Sequence, residues 1–234
     1  MYRRALNKEE NYSLKNYLDI FYAREKKPLT DYPEKLIEYL IDTYNLKKNS
    51  YLLEAGCGMC DHLNIFKKKG FVCHGFDLEI LGNNKNLNLV SIDINTQKIP
   101  FPDNYFDIIY SKSFLEHLPD PIQFLNEARR VLKDGGKILT LVPDWESQYK
   151  TFYDDFTHIR PYTKKSLGNV MNMFFSNVEV KKFRQLPISW KYNTMNRFLN
   201  MISYFIPARV NNSFLRWTRE LMLISIAFKE GDND

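Results

Sequence analysis

Leu52-Leu53-Glu54-Ala55-Gly56-Cys57-Gly58 is an apolar run that ends in two closely spaced glycines. The run fits a buried strand. Glycines at its end let the backbone turn sharply and approach a ligand, with amide donors presented at the start of the helix that follows. About twenty residues on, Asp77 closes a second apolar run, Phe71 to Phe76. At that spacing a carboxylate can accept both hydroxyls of a ribose.

The chain outside this segment extends the same pattern. Leu14, Tyr17, Leu18, Phe21 and Tyr22 recur at helical spacing, as do Leu36, Ile37, Leu40, Ile41 and Tyr44 after an Asp31-x-x-Glu34 capping signal, so residues 1–49 predict an N-terminal helical cover. Strands are expected at Tyr51–Glu54, Phe71–Phe76, Leu89–Ile92, Phe106–Tyr110 and Lys137–Val142, with one helix ending near Gly70 and another over Pro121–Leu132. This alternation predicts an α/β fold with a doubly wound, mostly parallel sheet. Thr163–Phe175 reads as helix, Val178–Phe183 as strand and Leu221–Phe228 as a final strand. The aromatic- and arginine-rich stretch 187–220 is too long for a plain connection and predicts an inserted helical segment. Residues 1–234 are read as one domain, with 50–145 its ligand-binding core.

Composition narrows the class. With 44% hydrophobic and 26% charged residues and only 9 Gly and 10 Pro, the sequence excludes disorder and low complexity. No apolar stretch is long enough to span a bilayer, and the Met-Tyr-Arg-Arg start lacks a signal-peptide core, so a cytoplasmic location is expected. Three cysteines in such a chain predict reduced thiols. Cys57-x-x-Cys60 with Cys73-His74 has the look of a zinc site. It fails because neighbours on a strand point to opposite faces, and no metal site is expected. The net charge of +5 is concentrated. Lys181 to Lys229 holds nine basic residues against Glu220 alone, a local +8, leaving about −3 elsewhere. Such a segment suits phosphates, a membrane surface, a nucleic acid or simply solvent.

Two cofactor classes use a glycine turn with a downstream acid. A dinucleotide fingerprint needs a third glycine where Asp61 stands, which disfavours a diphosphate. Glu54, two residues before the first glycine, suits a cofactor with a cationic group, because a buried carboxylate needs a partner charge or donors. S-adenosylmethionine carries an ammonium and a sulfonium. Glu54-Ala55-Gly56-Cys57-Gly58, Phe76-Asp77-Leu78, Ser91-Ile92-Asp93-Ile94, Phe101-Pro102-Asp103-Asn104-Tyr105-Phe106-Asp107 and Leu115-Glu116-His117-Leu118-Pro119-Asp120-Pro121 together resemble a class I S-adenosylmethionine-dependent methyltransferase. The resemblance implies a seven-stranded sheet whose last strand, Leu221–Phe228, inserts antiparallel beside the fifth. It further implies that Gly56 and Gly58 meet the methionyl part of the cofactor, Asp77 the ribose, and Leu78, Asp93 and Ile94 the adenine, with Glu54 and Ser111 also in the cofactor set. Cys60 departs from the family, which often has glycine there. Glu116 and His117, before a Pro-Asp-Pro turn, read as loop-fixing residues in preference to catalytic ones.

The acceptor should sit above the carboxyl ends of strands four and five. Beyond strand five, Asp154-Asp155-Phe156-Thr157-His158-Ile159-Arg160-Pro161-Tyr162 is the densest polar cluster of the chain, and it resembles a segment of small-molecule methyltransferases that act on sugars and surface polysaccharides. His158 has the ordinary pKa of a base for an acceptor hydroxyl, with a loop-fixing hydrogen bond as the competing role. Asp155 and Arg160 are the substrate candidates, with an internal pair of Arg160 with Asp154 or Asp155 preferred over direct binding of an acidic substrate. The expected function is methyl transfer to a small-molecule hydroxyl, a sugar or related metabolite. The alternatives are a non-catalytic S-adenosylmethionine-binding partner and a lipid or RNA acceptor. RNA ranks below small molecules, since apolar stripes interrupt the basic segment. Those stripes, over 197–217, suit packing onto the main domain first, and also a lid or a peripheral membrane contact.

Overall fold

A computed structural model describes residues 31–81, 84, 86–191, 193–210 and 212–231. The helix expected over Leu14–Tyr22 lies outside them. Helix α1 spans Tyr32–Tyr44, with Pro33 in its first turn, and ends where Asn45 takes a left-handed conformation. Its Asp31 makes no side-chain cap and instead pairs with Lys35, so the expected capping box does not form. Strand β1 (Tyr51–Ala55), helix α2 (Asp61–Lys68), β2 (Val72–Asp77), β3 (Asn88–Ser91) and β4 (Phe106–Lys112) follow in order. After them come α3 (Pro121–Val131), β5 (Leu132–Pro143), the short α4 (Trp145–Gln148), α5 (Lys164–Asn172) and β6 (Ser176–Arg184). Helices α6 (Ile188–Lys191), α7 (Asn193–Ser203) and α8 (Ser213–Arg219) fill the expected insertion before β7 (Leu221–Phe228).

The seven strands form one sheet in the order β3-β2-β1-β4-β5-β7-β6. β1 to β5 are parallel, while β7 pairs antiparallel with both β5 and β6, so β7 alone is reversed. This is the sheet expected from the resemblance. Two core layers flank it, as strand alternation requires. Leu53, Ile109, Ile138 and Leu223 bury on one side with Phe124, Leu125 and Ala128 of α3 and Leu167 and Met171 of α5. Leu52, Ile108, Leu139 and Ile224 bury on the other with Leu36, Ile37 and Leu40 of α1 and Leu63 and Phe66 of α2.

Cys73 belongs to the second layer, whereas His74 on the next position packs edge-on against Phe101, Tyr105 and Phe106. Opposite faces therefore separate the two residues, as the strand argument required. The sequence places the end of α3 one residue late, because Leu132 already pairs with Phe106 as the first residue of β5. The Phe101-to-Asp107 motif is held from α3. Arg130 donates to the carbonyls of Ile99 and Phe101 and to Asp103, while Glu127 accepts from the Ile99 amide.

The insertion packs one side only. Trp190 stacks on Phe183 and Trp217 lies 5.1 Å from Tyr32, with Leu199 and Ile206 buried. Phe198, Met201, Tyr204, Phe205 and Phe214 on the other side are exposed. Among the described residues no helix is long and apolar enough to cross a membrane.

Gly75 on β2 is where α2 comes closest to the sheet. A Cβ there would lie 2.8 Å from Leu63 and 3.2 Å from the Cys57 sulfur. Gly75→Val is expected to overpack this seam and cost about 1–3 kcal/mol, read as a lower urea midpoint at unchanged slope. An unchanged midpoint would show that α2 moves freely over the sheet.

Candidate active site

In an open parallel sheet a ligand sits outside the carboxyl ends of the strands where the strand order reverses, here between β1 and β4. A cavity of about 650 Å³ opens at that place. Glu54, Gly56, Gly58, Asp77, Leu78, Asp93 and Ile94 all line it, so seven of the eight residues in the expected cofactor set come together.

The loop after β1 owes its shape to two features. Gly56 has a φ of +70°, and a Cβ on it would lie 2.4 Å from the Phe114 ring. The Asp77 carboxylate then fixes the loop from β2, one oxygen accepting from the Gly58 amide and the other from the Leu78 amide, both at 2.7 Å. Burial raises the Asp77 pKa against the pull of these amides. Cys60 adopts a φ of +59°, the left-handed conformation that favours glycine, which accounts for the family preference at that position. Its sulfur lies 3.2 Å from that of Cys57, and all three cysteines are free buried thiols.

Glu54 is buried, and one of its oxygens has no hydrogen-bond partner among the described residues. Burial, reinforced by the Asp77 charge, raises its pKa well above the ordinary carboxylate range. Its other oxygen is 3.7 Å from Nδ1 of His62, an imidazole that burial and Lys112 push down to about 3 and so keep neutral. The site therefore presents a buried acid toward the cavity, with Lys112 the cation that acts on it from the same lining. Asp93 lines the cavity while its Oδ1 accepts from the amide and side chain of Asn95, so it also caps its own turn.

Ser111 is the correction in this set. It is fully buried, does not line the cavity, and donates to Thr140 across the β4–β5 pair. The strand runs two residues beyond the Tyr110 end read from the sequence, so Lys112, Ser113 and Phe114 take the lining positions instead.

On the acceptor side the structure also reassigns residues. The wall is His117, Leu118, Phe156, Thr157 and Ile159. His158 does not line the cavity. It packs behind His117 with ring centroids 4.9 Å apart and the planes tilted by 55°, and commits Nδ1 to the Phe152 carbonyl at 2.7 Å. Asp155 accepts from the Thr157 amide and hydroxyl and shapes the loop, without lining the cavity. Arg160 pairs with neither Asp154 nor Asp155. Its guanidinium donates to the carbonyls of Leu118 and Pro119, while Asp154 pairs with Arg209 of the insertion at 2.7 Å. No described residue of 187–220 lines the cavity, and the insertion reaches the acceptor loop through that ion pair.

Sequence reasoning set aside Glu116 and His117. His117 lines the cavity on a 3₁₀ turn, Leu115–His117, its Nδ1 against the carbonyl and hydroxyl of Thr157. Glu116 beside it is fully buried, and neither carboxyl oxygen makes a hydrogen bond. The signal was the spacing of Glu116-His117 directly after a strand end, at the level where cofactor and acceptor meet.

Known proteins bear on this geometry. A methyltransferase-domain family matches residues 23–174. The chain belongs to that family. An uncharacterized protein of Methanocaldococcus jannaschii is 32% identical over 121 residues, 51% of this chain and 53% of its own length. A ubiquinone/menaquinone biosynthesis C-methyltransferase of Psychromonas ingrahamii is 35% identical over 97 residues, 40% of this chain and 36% of its own. This methyltransferase-family chain thus spans about half or less of the curated relatives it matches. A solved S-adenosylmethionine-dependent methyltransferase from Archaeoglobus fulgidus shares the fold at 20% identity, with a TM-score of 0.61, covering 90% of this chain and 99% of that one.

Burial pushes the Glu116 carboxyl from its ordinary 4.5 up to about 8, against the pull of Lys112 and of nearby amides. Between those values the folded chain holds a proton that the unfolded chain has released, so this contribution is present at acid pH and is lost as pH rises to about 8. Glu116→Gln is expected to flatten the fall in melting temperature across that window. Parallel wild-type and variant curves would contradict the assignment.

Proposed function

We propose that this chain transfers a methyl group from S-adenosylmethionine to a hydroxyl of a small polar acceptor, a sugar or related metabolite. The observation that carries the reading is the buried Glu54 carboxylate, half unpartnered and facing the same cavity as Asp77 and Asp93. A buried acid favours a ligand that brings positive charge, and the ammonium and sulfonium of the cofactor answer it. Asp77 keeps lone pairs for ribose hydroxyls beyond its two amide donors. Leu78 and Ile94 supply apolar wall for the adenine.

The acceptor reading is supported by the opposite wall. His117 and Thr157 are polar, and Phe156 and Ile159 add apolar surface that is largely solvent-exposed and suited to a sugar ring. Transfer is a single displacement. The carbon–sulfur bond breaks with its electron pair staying on sulfur, the carbon–oxygen bond forms, and the hydroxyl proton passes to the Nε2 lone pair of His117. Burial and the neighbouring His158 lower the His117 pKa, and with Nδ1 turned to the Thr157 carbonyl its Nε2 carries a lone pair.

The test is transfer of labelled methyl from S-adenosylmethionine to a panel of sugars, sugar nucleotides, phenols and lipid-linked precursors. Label on a sugar hydroxyl supports the reading. Saturable cofactor binding with no transfer to any acceptor favours a binding partner, and label on lipid or a steeply salt-dependent RNA affinity moves the acceptor class. His117→Ala is expected to lower turnover about 100- to 10,000-fold while cofactor affinity stays within a few fold. Turnover preserved within a few fold would return His117 to a loop-fixing role.

A further inference from the structure

Glu116, His117 and His158 each offer a ligand atom within 4.8 Å of the other two. They come from two segments, the 3₁₀ turn after β4 and the loop beyond α4, which the fold brings together. The arrangement of their other atoms is informative. His158 turns Nδ1 to the Phe152 carbonyl at 2.7 Å, and His117 turns Nδ1 to the Thr157 carbonyl at 3.2 Å. A carbonyl only accepts, so both rings carry their proton on Nδ1 and leave Nε2 as a lone pair. Tethering of one imidazole nitrogen to a backbone carbonyl, so that the other faces a cation, is what ligating histidines require.

Glu116 completes the set. Its carboxyl group is fully buried, and neither oxygen accepts a hydrogen bond from any described residue. Lys112 acts on it electrostatically without a hydrogen bond to either carboxyl oxygen, and Asp155 adds negative potential nearby. A second carboxylate thus stands close by, one oxygen of Asp155 being 4.0 Å from Nε2 of His158. Three Nδ1-tethered or unpartnered donors converging beside the cavity form a built site for a positive ion.

We propose that Glu116, His117 and His158 bind a divalent first-row transition-metal ion at the acceptor end of the cavity. Two imidazoles and one carboxylate select such an ion over magnesium or calcium, which take oxygen ligands. Since His117 lines the cavity, a ligand position of the ion opens toward the acceptor. There His117 serves as ligand in place of base: the ion acidifies a bound hydroxyl, whose proton leaves to water as the methyl group arrives, and it fixes the oxygen in line with the sulfonium. This role rests on the methyl-transfer reading, whereas binding of the ion does not.

The experiment titrates Co²⁺, then Zn²⁺ in competition, into the chelator-treated full chain without cofactor or acceptor. Saturation at one equivalent is expected, with visible ligand-field bands and no thiolate-to-cobalt charge transfer. Glu116→Gln, His117→Ala and His158→Gln should each weaken binding by at least ~10–100-fold, the loss typical of removing even an outer-shell partner. Metal-free melting curves establish that each variant is folded, and Zn²⁺ should raise the melting temperature of the wild type but not of the variants. Asp77→Ala should keep cobalt affinity while losing cofactor affinity, which separates failure of this proposal from failure of the methyl-donor assignment. No saturable cobalt binding by the wild type overturns the proposal. So does binding that survives Glu116→Gln and His158→Gln, or that carries a thiolate band and disappears in Cys57→Ser.

Discussion

The carboxylate of Asp77 is the interaction on which the site depends. It ends β2 and reaches across to the Gly58 amide of the neighbouring β1 loop at 2.7 Å, while its second oxygen holds its own next amide. Parallel pairing of β1 with β2 brings Ala55 level with Phe76, so the acid is delivered to the loop by the sheet itself. The Phe114 ring lies where a side chain on residue 56 would be, which excludes anything but glycine there. One end of the cavity is therefore built from backbone amides and a half-buried acid, with little freedom to rearrange. Glu54, one strand inward, keeps one oxygen without a hydrogen-bond partner among the described residues.

The acceptor end is assembled differently, by a clasp between two loops. The Glu116 carbonyl accepts from the amides of both Ile159 and Arg160 at 3.0 Å, and Arg160 returns its guanidinium to the carbonyls of Leu118 and Pro119. A bridge between Asp144 and Tyr162 anchors the far side of the loop where it leaves β5. These contacts use the polar side chains that the sequence offered as substrate ligands. They also take up the amides of Ile159 and Arg160 at the Glu116 carbonyl, so neither serves its buried carboxyl.

Much of this was legible beforehand because it follows from local pattern. The alternation of apolar runs with helical stripes is sufficient for a doubly wound sheet, and the glycine turn with Asp77 at its spacing locates the cavity. Ser111 was misplaced because strand length is set by pairing with β5, which carries β4 on to Lys112 and turns Ser111 into the sheet toward Thr140. His158 and Arg160 were assigned to the acceptor by residue type, but a loop's facing direction depends on long-range contacts. Here those contacts turn Thr157 and Ile159 to the cavity and His158 behind His117. Glu116 gave no sequence signal of burial, since a glutamate between Leu115 and His117 in a short turn reads equally well as exposed. The Asp31 cap failed for a related reason, as Lys35 one turn later competes for the carboxylate.

The account stands on a half-buried carboxylate that shapes the loop and is proposed to hold a ribose. Calorimetric titration of S-adenosylmethionine into wild-type chain and Asp77→Ala tests it most directly. Saturable binding by the wild type, weakened about tenfold or more in the variant, is expected from the loss of hydrogen bonds to a charged acceptor worth about 1.5–3 kcal/mol. Equal affinities in the two proteins, or no saturable binding by the wild type, would contradict it.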